Sequence, residues 1–136
     1  TVAITLPAMF FLVALGLAFA TGTSWGTFGI LIPIVLAITG TNMNLATMTV
    51  AAVLAGAVGG DHVSPISDTT ILASAGAQCN HIDHVSTQIP YVLCVSSSCV
   101  AGYIVAGVTG EGLLGTFSGI ILLVLMMAGI YKFQMK

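Results

Sequence analysis

The chain has 136 residues, of which 57% are hydrophobic and only 4% charged, with a mean hydropathy of +1.13 and a formal net charge of -2. A soluble domain carries roughly 25% charged residues, and here no Asp, Glu, Lys or Arg precedes Asp61, so a water-facing surface cannot be built from the first sixty positions and lipid is their natural solvent. The charge is also too small and too scattered for a nucleic-acid partner, and Cys79, Cys94 and Cys99, odd in number and without C-x-x-C spacing, read as small packing residues rather than a disulfide or zinc framework.

The sequence opens at Thr1 inside an apolar run, without an initiator Met or a basic signal region. It therefore reads as a piece of a longer membrane protein. Membrane folds that hold ligands are commonly two related halves with the site between them, and the expectation is that this chain supplies one half, with an N-terminal half upstream.

Residues 2–20 are almost all apolar, Thr21, Gly22, Thr23, Ser24, Trp25, Gly26 and Thr27 interrupt them, and residues 28–38 resume the pattern. At 1.5 Å per residue the second arm reaches about 17 Å, against roughly 30 Å of hydrocarbon. Residues 1–38 are accordingly predicted to form a re-entrant helical hairpin with its tip at 21–27, buried in protein or lining a wet cavity. The competing arrangement is one full span, an interfacial loop and an interfacial arm. The tip hydroxyls and amides are placed to complete a site, although Gly22 and Gly26 would equally suit close helix packing.

After a polar turn at 39–44, residues 45–58 read as an apolar helix of small side chains running into Gly59 and Gly60. Asp61, His62, Ser64, Ser67, Asp68, Thr69 and Thr70 then gather two carboxylates, one imidazole and four hydroxyls around Pro65. Residues 71–77 are too few to span. The segment 61–70 is thus either a loop followed by a stub or the unwound middle of a discontinuous helix over 45–77. The second leaves no orphan segment and is the expectation, with Gly59, Gly60 and Pro65 as helix breakers.

Residues 79–84 read as a polar loop in which Asn80 or Asp83 caps the next helix. A transmembrane helix is predicted over 88–108 with Pro90 in its first turn, then a turn at Gly110, Glu111 and Gly112, and a last transmembrane helix over 113–131. Lys132 and Lys136 place the C-terminus in the cytoplasm by the positive-inside rule. Counting back, the 79–84 loop is cytoplasmic and the hairpin opens to the outside.

An ionisable side chain within a membrane costs about 2.5–3.5 kcal/mol on insertion scales, so Asp61 and Asp68 mark an ion or proton path. Were the stretch helical, positions 61, 64, 65 and 68 would share a face; were it unwound, the carboxylates would still converge with free carbonyls. Carboxylate, hydroxyl and carbonyl oxygens suit a hard cation such as Na+, and Asp61, Ser64, Asp68 and Thr69 are the candidate ligands. A carboxylate withdrawn from water holds its proton more tightly, so H+ and Na+ would compete for one site. These are transported ions, and no bound cofactor is implied. Either Asp could instead cap a helix end. His62 could tune the site or accept a proton, or be hydrogen-bonded within the break. His81 and His84 flank Asp83 but lack an H-E-x-x-H frame, which favours structural roles over a metal clip.

The stretches TGTSWGTFGI, GDHVSPISDTTILAS and CNHIDHVSTQIPY closely resemble the C-terminal half of the NhaC family of sodium/proton antiporters, and the resemblance covers nearly the whole chain. That family is similar to the wider ion transporter superfamily. The resemblance implies an all-α membrane protein forming one half of an inverted-repeat transporter, each repeat with a re-entrant hairpin and a discontinuous helix. It implies that residues 21–27 are the hairpin tip and 61–70 the broken-helix site, in a multi-pass protein of the cell membrane. Its partners would be the lipid bilayer and the N-terminal half, with a homodimer left open. Relatives include sodium-coupled exchangers of malate and lactate, so the resemblance fixes sodium coupling better than substrate. The absence of arginine, which would clamp an organic acid, favours cation exchange. The rival from another class is an intramembrane metal-dependent hydrolase built on His62, His81, Asp83 and His84; an inactive structural subunit is the third reading.

Overall fold

A chain dissolved in lipid must satisfy its backbone hydrogen bonds within each segment, and helices do so. In a computed structural model, which describes residues 2–134, the fold is all-α. Its elements are α1 (Val2–Thr21), α2 (Ser24–Thr39), α3 (Met43–Val63), α4 (Asp68–Gly76), α5 (His81–Thr109) and α6 (Gly112–Gln134). Four of them, α1, α3, α5 and α6, are long and apolar enough to cross a membrane. At 16 residues, α2 reaches about 24 Å and falls short of the hydrocarbon thickness. Lys136 lies outside the described residues.

The helix starts are set by local side chains. Thr23 Oγ1 accepts from the Gly26 amide at 3.3 Å, and Asn42 Oδ1 accepts from the Leu45 amide at 3.1 Å. Asn80 Oδ1 accepts from the amides of Ile82 and Asp83 at 2.9 and 3.3 Å. Of the two capping candidates for α5, Asn80 caps and Asp83 lies in the first turn.

Packing rests on small residues. A Cβ added to Gly56 or Gly60, four positions apart on α3, would collide with the carbonyl oxygens of Phe11 and Leu15 on α1. This is the small-xxx-small contact of membrane helices, which lets backbones approach closely. On the α5–α6 seam a Cβ on Gly115 would sit 2.6 Å from the Gly102 carbonyl oxygen. Ala14 and Ala18 of α1, Leu31 and Val35 of α2, and Val53 and Ala57 of α3 form the buried core where the first three helices meet.

These contacts fix direction. Gly56 meets Phe11 and Gly60 meets Leu15, so α1 and α3 run parallel. Gly107 abuts Ile4, and Asn44 Nδ2 donates to the Gly110 carbonyl at 2.7 Å, so α5 runs opposite to both. One end of the bundle therefore carries residues 22–24 and 64–67, and the other carries 39–44 and 110.

Several boundaries differ from the sequence reading, beginning with the polar stretch 21–27, of which only Gly22 and Thr23 lie outside α1 and α2. Gly59 and Gly60 do not break the helix, because α3 continues through Asp61 and His62 to Val63 and Gly60 is used for close approach to α1. The interruption is confined to residues 64–67. Pro65 stands within it, and the residue before, Ser64, is extended at φ -71°, ψ 126°, the region a following proline favours; Pro7, Pro33 and Pro90 lie inside continuous helices. Finally, α5 begins at His81 rather than 88, so residues 81–84 are helical and Pro90 is interior.

Candidate functional site

The two polar segments meet at one end of the bundle although some forty residues separate them. Gly22 closes α1 with its amide donating to the Ala18 carbonyl at 2.8 Å and a positive φ of 65°. That conformation suits glycine, and space demands it as well, since a Cβ there would lie 2.9 Å from the Ile66 carbonyl carbon. Thr21 and Thr27 turn their hydroxyls onto the carbonyls of Leu17 and Thr23 at 2.8 and 2.9 Å. Ser24 and Thr27 are buried, whereas Trp25 is 82% exposed and meets Phe28 edge-on at 5.9 Å. The face of the tip that bears Trp25 is therefore not covered by this chain.

Opposite the tip, fully buried Ser64 donates to the Phe19 carbonyl at 2.7 Å. Its amide reaches the Asp61 carbonyl at 3.2 Å, and the Ser67 amide reaches the Ser64 carbonyl at 3.3 Å. Ser67 Oγ and Thr69 Oγ1 share a hydrogen bond of 2.7 Å. Thr70 Oγ1 lies 3.3 and 3.1 Å from the carbonyl oxygens of Asp61 and His62 and donates back across the break. Carbonyls at the end of α3 are thus answered by the Ser64 amide and the Thr70 hydroxyl.

Asp61 and Asp68 are not equivalent. Asp61, in the last turn of α3, is 6% exposed, and its Oδ1 is buried without a hydrogen-bond donor among the described residues. Asp68 opens α4 at the surface of this chain, and its Oδ1 accepts from the Thr69 amide at 2.8 Å. Asp61, Ser64, Ser67 and Thr70 occupy the buried side of the break; His62, Asp68 and Thr69 lie on its exposed side. His62 donates through Nδ1 to the Val58 carbonyl one turn back, at 3.0 Å.

The sequence reading missed a contact from further along the chain. His81 Nε2 donates to the Pro65 carbonyl at 2.7 Å, and its Nδ1 lies 3.0 Å from Ser74 Oγ. No local pattern reveals a bond across sixteen positions; the only available signal was a histidine at the start of the next helix. His84 Nε2 is 3.1 Å from Gln88 Nε2. The three histidines of the hydrolase alternative are each engaged elsewhere, and among the described residues no three His, Cys, Asp or Glu side chains gather as a metal site.

With this geometry in view, residues 3–108 match the Na+/H+ antiporter family. The chain belongs to that family. Membership places it among transporters rather than enzymes, in agreement with its resemblance to NhaC-type antiporters and with its four membrane-length helices. The match takes in α1 to α5 and ends before α6. An uncharacterized protein of Haemophilus influenzae is 48% identical over 128 residues, covering 93% of this chain and 25% of its own length. The arginine/ornithine antiporter ArcD of Halobacterium salinarum is 38% identical over 110 residues, covering 77% of this chain and 22% of its own length. The malate-2H(+)/Na(+)-lactate antiporter of Bacillus subtilis is 37% identical over 94 residues, covering 65% and 20%. The chain thus spans a quarter or less of the length of these relatives. No solved structure matches it.

Proposed function

We propose that this chain belongs to the C-terminal half of a multi-pass secondary transporter that exchanges Na+ for H+, with Asp61 as the carboxylate that alternates between the two ions. The observation that carries the proposal is Asp61 Oδ1, buried and without a donor among the described residues. A charged oxygen held away from water is costly unless a proton or a cation joins it. One oxygen takes one or the other, and that exclusion is what couples two fluxes. The hydroxyl oxygens of Ser64, Ser67 and Thr70 stand near the same break and supply the neutral ligands that a hard cation needs. Asp68, Thr69 and His62 lie on the outer side, as groups an ion meets on its way in.

In this reading α1 and α2 form a re-entrant hairpin whose tip meets a discontinuous helix made of α3 and α4, and an inverted repeat in the rest of the transporter supplies the opposing half. Trp25 faces that half or lipid. The C-terminus and residues 79–84 face the cytoplasm, in keeping with Lys132 at the end of α6. The absence of arginine favours cation exchange over organic-acid exchange.

The test is Asp61→Asn in the full transporter, assayed as Na+-driven proton movement in everted vesicles. The substitution keeps shape and removes the exchangeable proton, so exchange is expected to fall to background at unchanged protein level. Asp68→Asn is expected to retain most of the rate. Normal exchange by Asp61→Asn overturns the assignment.

A further inference from the structure

The helix α4 is held in an unusual way. Of its nine residues only Thr70 and Ser74 are buried, and both are polar. Thr70 fastens its first turn to the carbonyls of Asp61 and His62. Ser74 meets His81 of α5. The same imidazole holds the Pro65 carbonyl inside the break through its other nitrogen. A single side chain therefore clamps both the break and the helix that follows it to α5.

The proton assignments make this clamp robust. A carbonyl oxygen only accepts, so Nε2 must carry hydrogen. Ser74 has one hydroxyl hydrogen and two neighbours, the Ile71 carbonyl at 2.9 Å and His81 Nδ1 at 3.0 Å. In the neutral ring Ser74 donates to Nδ1; in the doubly protonated ring Nδ1–H donates to Ser74 and the hydroxyl turns to Ile71. Both states leave the Nε2 proton on Pro65.

We infer that His81 is a positioning residue for ion binding: its bond to the Pro65 carbonyl holds residues 64–67, and through the Ser64 amide and Thr70 the end of α3, in the arrangement that binds the cation. This inference rests on the reading of Asp61 as the exchange site. Without the bond, the break samples arrangements in which the serine hydroxyls and Asp61 do not converge. Apparent affinity then falls in proportion to the fraction of protein still in the competent arrangement. The cost of one such hydrogen bond corresponds to roughly a fivefold to tenfold change.

The experiment is a Na+ titration of proton movement in vesicles of the full transporter carrying His81→Ala, His81→Gln, His81→Phe or Asp61→Asn. His81→Ala is expected to raise the half-saturating Na+ concentration about fivefold to tenfold with the maximal rate within about twofold. A general loss of folding would instead lower the maximal rate with the amount of protein. Gln places an amide N–H near the position of Nε2, so His81→Gln is expected to restore half-saturation to within about twofold of the parent. If His81→Ala does not accumulate, the remaining pair decides: His81→Phe, which fills the space of the ring without a donor for the Pro65 carbonyl, must raise half-saturation while His81→Gln does not. Unchanged half-saturation in His81→Ala, or in His81→Phe where that variant decides, overturns the inference, as does failure of Gln to rescue. Asp61→Asn separates the two readings. Exchange that is lost in Asp61→Asn but has normal Na+ dependence in His81→Ala sinks the role of His81 alone, and exchange that survives Asp61→Asn sinks the site itself.

Discussion

Ser64 Oγ donates a 2.7 Å hydrogen bond to the carbonyl oxygen of Phe19, joining the break after α3 to the last turns of α1 across 45 positions. Beside it, Gly22 packs on Ile66 with no room for a Cβ. Together the two contacts seat the turn between α1 and α2 on the break.

Ser64→Ala removes that bond and leaves a carbonyl near the end of α1 without its side-chain donor. The expected cost is about 1–3 kcal/mol. A lowered melting temperature of the detergent-purified transporter checks it. An unchanged melting temperature would mean that the Phe19 carbonyl is satisfied in another way.

Gly60→Ala and Gly59→Ala form a matched pair. The added Cβ at position 60 collides with the Leu15 carbonyl, whereas at position 59 the nearest atom is Leu15 Cδ1 at 3.8 Å, an ordinary contact. Forcing α1 and α3 apart is expected to cost about 1–3 kcal/mol or more, the usual penalty for overpacking. Gly59→Ala is expected to be neutral or slightly stabilising through helix propensity. Thermal unfolding of the two variants side by side measures the difference; equal losses would return both glycines to the role of helix breakers.

Asn80→Ala is expected to destabilise by about 1 kcal/mol through loss of the α5 cap. Asp83→Asn, which removes only a favourable charge in the first turn, is expected to cost about 0.3–1 kcal/mol. Hydrogen exchange at the amides of Ile82 and Asp83 reports on this directly. Faster exchange in Asn80→Ala than in Asp83→Asn is the expected result.

The sequence by itself determined the solvent and the class, and it marked where polar side chains gather in an apolar chain. Sixty residues without a charge require lipid. Backbone in lipid requires helices, and Pro65 amid the clustered hydroxyls and carboxylates marks that stretch as the place for a break, although Pro7, Pro33 and Pro90 lie inside continuous helices. Solvent and class follow from composition and backbone chemistry, which a string of residues carries in full; a proline marks a place where a helix can break and leaves the packing to decide whether it does. The breadth of the break was misread, because glycine has two uses in a membrane helix and only a partner chooses between them: Gly60 is spent on the carbonyl of Leu15, and the helix runs on past it.

Only the tertiary structure decided which carboxylate is buried. Asp61 and Asp68 look alike in sequence, but helices that are apolar nearly all round carry no stripe to say which face turns inward. Burial of Asp61 and exposure of Asp68 follow from where α1 and α2 lie against α3. The bond from His81 to Pro65 is of the same kind, since it depends on α5 folding back to bring its first residue against the break. Contacts between distant segments are set by packing of the whole bundle, and no spacing along the chain encodes them.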